Sequence, residues 1–255
     1  MNETLRVLVT RPAGQAQGLC TLIEASGGKA VQLPAIEIVP PGDTTPLANT
    51  VDSLDQFDLA VFISINAVNY GLDFILQQRA WPEGILIAAV GPTSNVAVEQ
   101  HGLQVDLVPE HEFSSEGLLA LDALQNMRGK RVVIFRGNGG RKTLCDTLMA
   151  RGADVEYVEV YQRVCPRESD ELLQLLKQNE LDVITATSNE TLQNLFDMAG
   201  PVGQPLLVRI PLVLASNRQA ELAARLGFMQ GAVIAGHASD EVMAEGIKQL
   251  LSGTD

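Results

Sequence analysis

The chain has 255 residues, of which 46% are hydrophobic and 19% charged, a composition typical of soluble globular proteins. The formal net charge of −13 argues against a nucleic-acid partner, and an anionic ligand would therefore need local donors such as arginines or helix N-termini. No apolar run approaches the roughly 18 residues that cross a bilayer, and the N-terminus shows no secretory signal, so we expect no membrane partner and a cytoplasmic protein.

Short apolar runs alternate with helical patterns along the chain. In the first half, strands are predicted at 6–10, 59–64, 86–90 and 105–108, an extended segment at 29–39, and helices at 13–26, from about Ala67, from after the turn at Gly91-Pro92 to His101-Gly102, and at 114–127. The second half predicts strands at 131–135, 182–186, 211–215 and 231–235, an extended segment at 153–164, and helices at 140–151, 168–178, 190–199, 217–226 and 239–251. Strands rich in Val, Ile and Leu without alternation are covered on both faces. The predicted fold class is therefore α/β, with doubly wound parallel sheets.

The two halves of the sequence match each other at an offset of 125 positions. The aligned pairs include Arg11 with Arg136, Gly27 with Gly152 and, where the offset slips to 124, Asp58 with Asp182 and Ser64 with Ser188. Solenoid repeats have periods of roughly 20–50 residues, so this period indicates two domain-sized units. Two similar units that face each other would form a cleft, where small ligands usually bind.

The repeat permits two domain arrangements. In one, two sequential domains meet near Gly129. In the other, the chain crosses to the second domain near residue 38 and returns near residue 164. Two segments are the best linker candidates, 37–42 and 162–167, and both follow long extended segments. The repeat aligns Pro41 of the first with Pro166 of the second, which favours the crossing arrangement.

Every predicted strand is followed by a turn of small, hydroxylated or amide-bearing residues. Such residues are the usual helix N-caps, so each turn also has a purely structural explanation. In doubly wound sheets, however, these turns share the carboxyl edge of the strands, where ligands bind, and helix N-termini there suit carboxylates or phosphates. The binding candidates at these turns are Arg11, Ser64, Asn66, Gly91, Thr93, Ser94, Arg136, Gly137, Ser188, Ser216, Asn217 and Arg218.

The arginines Arg11 and Arg136 occupy equivalent positions directly after a strand. Each could form a structural ion pair or contact a bound anion, and the sequence leaves both interpretations open. The glycine-rich turn at 137–140 does not fit a dinucleotide site, because the third glycine of G-x-G-x-x-G would fall on Lys142. Walker and G-x-S-x-G motifs are absent as well, which indicates a protein that mainly binds and positions its ligand.

The cysteines and histidines predict neither disulfides nor a metal centre. Three cysteines do not form a disulfide framework, and the equivalent Cys20 and Cys145 are expected to be small core residues. Tyr161 ends the extended segment that leads into the second linker. If that linker joins the domains, Tyr161 lies at the mouth of the cleft; otherwise it is a half-buried strand tyrosine.

Five short motifs occur in order along the chain. They are Val9-Thr10-Arg11-Pro12, Phe62-Ile63-Ser64-Ile65-Asn66-Ala67-Val68, Val90-Gly91-Pro92-Thr93, Arg136-Gly137 with Gly152, and Val160-Tyr161-Gln162-Arg163. Together with the length and the duplication, this set resembles the uroporphyrinogen-III synthases, the cyclising enzymes of tetrapyrrole synthesis. The resemblance covers essentially the whole chain.

This resemblance implies two flavodoxin-like domains joined by a two-stranded linker, the first domain being discontinuous. The first would map to 1–36 plus 166–255 and the second to 40–162, with linkers at 37–39 and 163–165. It also implies a reaction without a cofactor, in which linear hydroxymethylbilane loses water and closes to uroporphyrinogen III. Ring D is inverted through a spirocyclic pyrrolenine.

The residues fit the chemistry that the resemblance implies. The substrate carries eight carboxylates, which helix N-termini can bind, and orientation of the chain is the main catalytic task because the free bilane closes to the wrong isomer. By resemblance, Tyr161 is the proton donor to the leaving hydroxyl, and Ser64, Thr93, Ser94 and Ser188 contact carboxylates. Relatives often show a glycine–proline turn where this chain has 216–218.

Two other classes of protein share parts of this pattern. A two-domain small-anion binding protein of the periplasmic-binding type has the same duplicated layout, but no signal peptide is seen here. A transferase with two Rossmann-like domains needs a donor-nucleotide site, which the motifs do not provide. We expect a monomer, since no exposed apolar helix stands out.

Overall fold

The computed structural model describes residues 4–167 and 169–252. The chain divides into two compact units, of which the first holds the chain up to Glu37 and again from Val164 onward, and the second holds Ile38–Arg163. Each unit has one five-stranded sheet with helices packed around it. The predicted α/β class is confirmed. No helix in the described part of the chain is long and apolar enough to cross a membrane.

Strands and helices alternate along most of the described part of the chain. In chain order the strands are β1 (Arg6–Val9), β2 (Lys29–Gln32), β3 (Glu37–Val39), β4 (Leu59–Phe62), β5 (Leu86–Ala89), β6 (Arg131–Gly137), β7 (Asp154–Val164), β8 (Val183–Ala186), β9 (Leu212–Leu214) and β10 (Ala232–Ile234). The helices are α1 (Gln17–Ala25), α2 (Thr45–Asp52), α3 (Ile65–Gln78), α4 (Pro92–Gln100), α5 (Ser115–Leu119), α6 (Thr143–Ala150), α7 (Asp170–Lys177), α8 (Asn189–Met198), α9 (Gly200–Leu207), α10 (Asn217–Leu226) and α11 (Asp240–Ser252).

The two sheets have the same order over four of their strands. The first is parallel in the order β2-β1-β8-β9-β10, which is the doubly wound 2-1-3-4-5 arrangement of flavodoxin-type sheets. The second runs β3-β7-β6-β4-β5, with β7, β6, β4 and β5 parallel and a bridge from Ala88 to Leu107. If β6, the repeat equivalent of β1, is numbered 1, then β7 is 2, β4 is 3 and β5 is 4. These four strands are again arranged in the order 2-1-3-4. Over these four strands, the second unit is therefore a circular permutation of the first.

Each sheet is covered by apolar side chains on both faces. In β1, Leu8 belongs to one buried cluster whereas Val7 and Val9 belong to another, because alternate side chains of a strand point to opposite faces. In β4, Phe62 and Val61 are divided in the same way between the two clusters of the second unit. The equivalent cysteines Cys20 and Cys145 are buried in these cores, as predicted.

Four predicted elements differ from the structure. The helix predicted at 114–127 ends at Leu119, and Arg151 donates to the carbonyl oxygens of Leu119 and Leu124 at 2.8 and 2.9 Å, so these carbonyls are satisfied without a continuous helix. The strand predicted at 105–108 makes only the bridge at Leu107. The extended segment predicted at 29–39 is broken between β2 and β3, and the helix predicted at 140–151 begins only at Thr143, after the glycine-rich turn.

The sequence patterns missed helix α9 altogether. It contains Gly200, Pro201, Gly203 and Pro205, which are read as helix breakers in an isolated pattern. Tertiary packing overrides this local signal: a methyl group added at Gly203 would lie 3.2 Å from the Leu176 side chain of α7, so the glycine permits a close approach of the two helices.

The aspartates Asp182 and Asp58 each bind the first residue of a neighbouring strand, which is β1 for Asp182 and β6 for Asp58. Asp182 accepts from the backbone N–H of Arg6 at 2.8 Å and from its guanidinium at 3.0 and 2.8 Å. Its repeat equivalent, Asp58, accepts from the backbone N–H of Arg131 at 2.9 Å and from Lys130 at 2.7 Å. The Arg6 side chain holds the pKa of Asp182 below its usual value, and Lys130 does the same for the pKa of Asp58.

We expect the substitution Asp182→Asn to lower the free energy of unfolding by about 1 kcal/mol at neutral pH, because a partly exposed charged hydrogen bond is removed. A carboxylate with a lowered folded-state pKa stabilises above its unfolded pKa of about 4, and this contribution is lost as the pH falls further. The difference between wild type and variant should therefore shrink below about pH 4. Urea denaturation at several pH values measures this difference in the free energy of unfolding. Asp52→Asn, at an exposed position, is the control, and the same pH trend in that variant would contradict a stabilising role for the Asp182–Arg6 pair.

Candidate active site

The carboxyl ends of the parallel strands in the second unit bring most of the predicted site residues to one edge. Ser64 follows β4 and caps α3, Gly91 follows β5 and caps α4, and Gly137 is the last residue of β6. Tyr161 lies beside Gly137 in the register of β7, after an irregularity between Arg136 and Gly137. This is the edge at which doubly wound sheets bind ligands.

A pocket of about 300 Å³ opens at this edge. Its lining residues are Ile63, Val90, Phe113, Ser114, Ser115, Arg136, Gly137, Asn138, Gly139, Gly140, Arg141, Tyr161 and Arg163. Three of the residues predicted from the sequence, Arg136, Gly137 and Tyr161, thus share one pocket. The volume is at the lower end of the roughly 300–1,000 Å³ that small-molecule sites occupy.

Tyr161 is buried at the side of this pocket, with only 6% of its surface exposed. Its hydroxyl lies 3.3 Å from Oγ of Ser64, which also accepts from the backbone N–H of Ala67 at 3.1 Å. The ring of Tyr70 packs near it, with centroids 6.1 Å apart. Since hydroxyl–hydroxyl hydrogen bonds are usually about 2.7–2.8 Å long, the contact with Ser64 is weak and leaves the phenol able to turn its proton to a ligand.

Arg136 lines the pocket and is 6% exposed. Its Nε donates to the carbonyl oxygen of Gly137 at 3.1 Å, and its guanidinium carbon lies 4.6 Å from the ring centroid of Tyr157. Within residues 4–167 and 169–252, no carboxylate lies within ion-pair distance of this guanidinium. The buried cation therefore lacks a countercharge among these residues.

The glycine-rich turn after β6 makes room for both side chains. A methyl group added at Gly137 would lie 2.5 Å from the ring of Tyr161, and one added at Gly140 would lie 2.6 Å from a terminal nitrogen of Arg136. Gly140 also has a φ of 96°, a left-handed conformation that favours glycine. The side chain of Asn138 accepts from the backbone N–H of Arg163 at 2.7 Å, which ties the turn to the end of β7.

The other predicted residues of this unit lie at the same helix starts but outside the pocket lining. Asn66 is in the first turn of α3 and partly buried, and Thr93 is exposed in the first turn of α4. Ser94 is buried, and its backbone N–H donates to the carbonyl of Gly91 at 3.1 Å.

The predicted residues of the first unit lie at the carboxyl edge of their own sheet. Ser188 caps α8 by accepting from the N–H of Thr191, and Ser216 begins α10, where Asn217 and Arg218 are exposed in the first turn. Arg11 pairs with Asp240 and donates to the carbonyl of Ala238. Arg11 and its equivalent Arg136 thus have different surroundings: Arg11 pairs with a carboxylate, whereas no carboxylate of the described residues pairs with Arg136.

Sequence reasoning missed several residues of the pocket. Phe113 is 55% exposed at the rim, and its turn is visible in the sequence as one more polar strand-to-helix connection. Arg141 pairs with Glu116 at 2.6 Å, and the pKa of Glu116 is lowered by a backbone amide at the helix start and by this arginine. No sequence signal predicts the contact of Asn138 with Arg163, because it depends on the pairing of β6 with β7.

We expect Ser64→Ala to lower the free energy of unfolding by about 1 kcal/mol through loss of the α3 cap, and to lower turnover as well, because the Tyr161 hydroxyl loses its neighbour. Ser169→Ala is the matched control, since Ser169 caps α7 by accepting from the N–H of Leu172 at 3.1 Å. Thermal unfolding and a turnover assay on both variants separate the effects. Equal turnover in the two variants would contradict a role for the Ser64–Tyr161 contact.

Two doubly wound units with polar turns at their carboxyl edges place the chain among the α/β proteins that bind small ligands at that edge. The family model described as "Uroporphyrinogen-III synthase HemD" matches residues 17–245. The chain is 34% identical over 248 residues to the uroporphyrinogen-III synthase of Escherichia coli (strain K12), covering 96% of this chain and 100% of that protein. This chain belongs to the uroporphyrinogen-III synthase family.

Solved structures show the same fold at lower sequence identity. The uroporphyrinogen-III synthetase from Helicobacter pylori 26695 matches with a TM-score of 0.61 and 16% identity, covering 97% of this chain and 100% of that one. A mutant uroporphyrinogen III synthase from Thermus thermophilus matches with a TM-score of 0.59 and 17% identity, covering 98% and 100%. The family predicted from the ordered motifs is confirmed.

Proposed function

We propose that this chain closes linear hydroxymethylbilane to uroporphyrinogen III, with loss of water and inversion of ring D. The observation that carries the proposal is the family match over residues 17–245. It is supported by the pocket in which Tyr161 lies beside Arg136 at the carboxyl edge of one sheet. The chain is thus a cyclising lyase of tetrapyrrole biosynthesis, and the family match disfavours the alternative of a small-anion binding protein.

Tyr161 is proposed to donate the proton that lets the terminal hydroxyl of the bilane leave as water. Departure of water leaves an electrophilic azafulvenium cation. The substituted carbon of ring D then attacks it to give a spirocyclic pyrrolenine, which fragments and recloses with ring D inverted. No step requires a cofactor, and the protein contributes mainly by holding the bilane so that this attack precedes direct closure.

The carboxylates of the substrate are assigned to the polar turns of both units. In the second unit, the binding residues are Ser64, Asn66, Gly91, Thr93, Ser94, Arg136 and Gly137. In the first unit, they are Arg11, Ser188, Ser216, Asn217 and Arg218. Hydroxyl groups and the first amides of each helix are suitable donors to carboxylates, which offsets the unfavourable net charge of −13.

We further propose that the first unit is a discontinuous domain of residues 1–36 plus 166–255, that the second is 40–162, and that 37–39 and 163–165 are the linkers. The strand orders support this, since each sheet becomes a complete doubly wound sheet only when the chain leaves the first unit after β2 and returns after β7. We propose a monomer as the working assembly.

An isomer assay tests the proposed function. Freshly prepared hydroxymethylbilane is incubated with the protein, and the oxidised products are separated by isomer. We expect uroporphyrin III to predominate, whereas a sample without protein yields type I. Only type I in the presence of the folded protein would refute the proposal.

A further inference from the structure

Of the three arginines that line the pocket of the second unit, Arg136 is buried, whereas Arg141 is exposed and Arg163 is half-buried. Arg141 pairs with Glu116 at 2.6 Å, and Arg163 donates to the carbonyl oxygen of Asn138 at 3.5 Å. Arg136 is 6% exposed, and within the described part of the chain its contacts are the Gly137 carbonyl and the ring of Tyr157. An arginine stays charged in proteins, so this pocket holds a buried positive charge.

The neighbours of Arg136 do not supply a negative charge. Burial raises the pKa of the Tyr157 phenol and of the Cys145 thiol, so both are neutral at neutral pH. The face of the Tyr157 ring attracts the guanidinium, but this attraction is weaker than that of a negatively charged partner. Because a buried charge without a partner is costly, the arrangement is matched to an anion that arrives from the pocket.

The rim of the same pocket carries an aromatic side chain. Phe113 is 55% exposed, although it lines the pocket, and its Cβ would lie 3.3 Å from a methyl group added at Gly91. The backbone at Gly91 therefore packs close to the Cβ of Phe113, whereas the phenyl ring of Phe113 remains exposed. An exposed aromatic face beside a buried cation fits a flat ring that bears a carboxylate.

We propose that this pocket binds a single pyrrole ring of the substrate, with Arg136 pairing with one of its carboxylate side chains and Phe113 covering the ring. The inference rests on the proposed function, and it adds that substrate recognition in this unit is centred on one ring. A volume of about 300 Å³ suits one substituted pyrrole, whereas a tetrapyrrole is far larger. Because Tyr161 lines the same pocket, the bound ring lies next to the phenol.

Binding of a monopyrrole that carries one acetate and one propionate group tests the inference. Titration of the full chain, followed by the amide signals of residues 137–141 in ¹⁵N–¹H spectra, should show shifts at this turn. The dimethyl ester of the same pyrrole should bind at least about tenfold more weakly, since a charge-assisted hydrogen bond is removed. Arg136→Gln should weaken the free acid by a similar factor, and Arg136→Lys by less, because lysine keeps the charge but loses the planar fork.

Matched variants separate recognition from folding. Phe113→Leu replaces an exposed side chain, so the fold should persist while binding of the free acid weakens about threefold or more. Arg128→Gln removes an exposed arginine from the same unit and should leave binding unchanged. On hydroxymethylbilane, Phe113→Leu and Arg136→Lys should raise KM more than they lower kcat, because they alter binding of one ring and not proton transfer.

The outcomes distinguish this inference from the function on which it rests. If the wild-type protein makes type III product but the monopyrrole shifts no signal at 137–141, or binds Arg136→Gln and Arg136→Lys as tightly as wild type, the inference is overturned and the proposed function stands. If the folded wild-type protein makes only type I product, both are overturned.

Discussion

Replacing Tyr161 with phenylalanine is expected to lower turnover at least about tenfold without loss of the fold. The hydroxyl is the only group removed, and general acid catalysis typically contributes about 10²–10⁴-fold to a rate. The ring remains packed against Gly137 and near Tyr70, and the substitution removes the weak hydroxyl–hydroxyl interaction with Ser64, which spans 3.3 Å. Initial rates of type III formation measure the effect, with the type I background subtracted.

Tyr70→Phe is the control for this experiment. The hydroxyl of Tyr70 donates to the carbonyl oxygen of Ile38 at 2.9 Å, and its ring centroid is 6.1 Å from that of Tyr161. Its removal should cost about 1 kcal/mol of stability and leave turnover within a few-fold of wild type. Turnover at the wild-type level in Tyr161→Phe would remove Tyr161 from the mechanism, whatever the behaviour of Tyr70→Phe.

The substitution Gly137→Ala is expected to lower turnover about 100-fold. The added methyl group would lie 2.5 Å from the ring carbons of Tyr161 and 3.0 Å from its hydroxyl, so the ring must move. Displacement of a catalytic group by about 1 Å can cost about 10²-fold in rate. Overpacking should also lower the free energy of unfolding by about 1–3 kcal/mol.

Gly42→Ala is the matched control for Gly137→Ala. It lies in the same unit at an exposed position, and a methyl group there would meet nothing within 4 Å. Rates are compared at a temperature where thermal unfolding shows both variants to be folded. If Gly137→Ala keeps wild-type turnover while folded, the position of the Tyr161 ring does not matter for catalysis.

Much of the site can be predicted without the fold. Parallel strands share their carboxyl edge, so the turns at Ser64, Gly91 and Gly137 are expected to lie together, and in the second unit they do. The glycine-rich turn lacks the dinucleotide spacing, and its role is steric, since Gly137 and Gly140 leave room for Tyr161 and Arg136. Spacing rules for known motifs do not detect a glycine that accommodates a neighbouring strand's side chain.

The helix boundaries illustrate the limits of local patterns. The segment at 114–127 has a helical pattern, but α5 stops at Leu119 because Arg151, which is distant in sequence, satisfies the carbonyl oxygens of Leu119 and Leu124. Conversely, α9 forms despite two prolines and two glycines, because it packs against α7. Long-range contacts therefore override propensity in both directions.

The sequence by itself determined the α/β class, the order of most strands and helices, the duplication and the family, because turn residues, apolar runs and the internal repeat can all be seen in the order of the residues alone. Only the tertiary structure decided how the equivalent arginines differ. Asp240, 229 positions away from Arg11, neutralises that arginine, whereas Arg136 lies against Tyr157 and lines a pocket. Such a difference arises because different distant segments fold beside each copy of the repeat. It cannot be predicted from the equivalence of the two positions in the sequence.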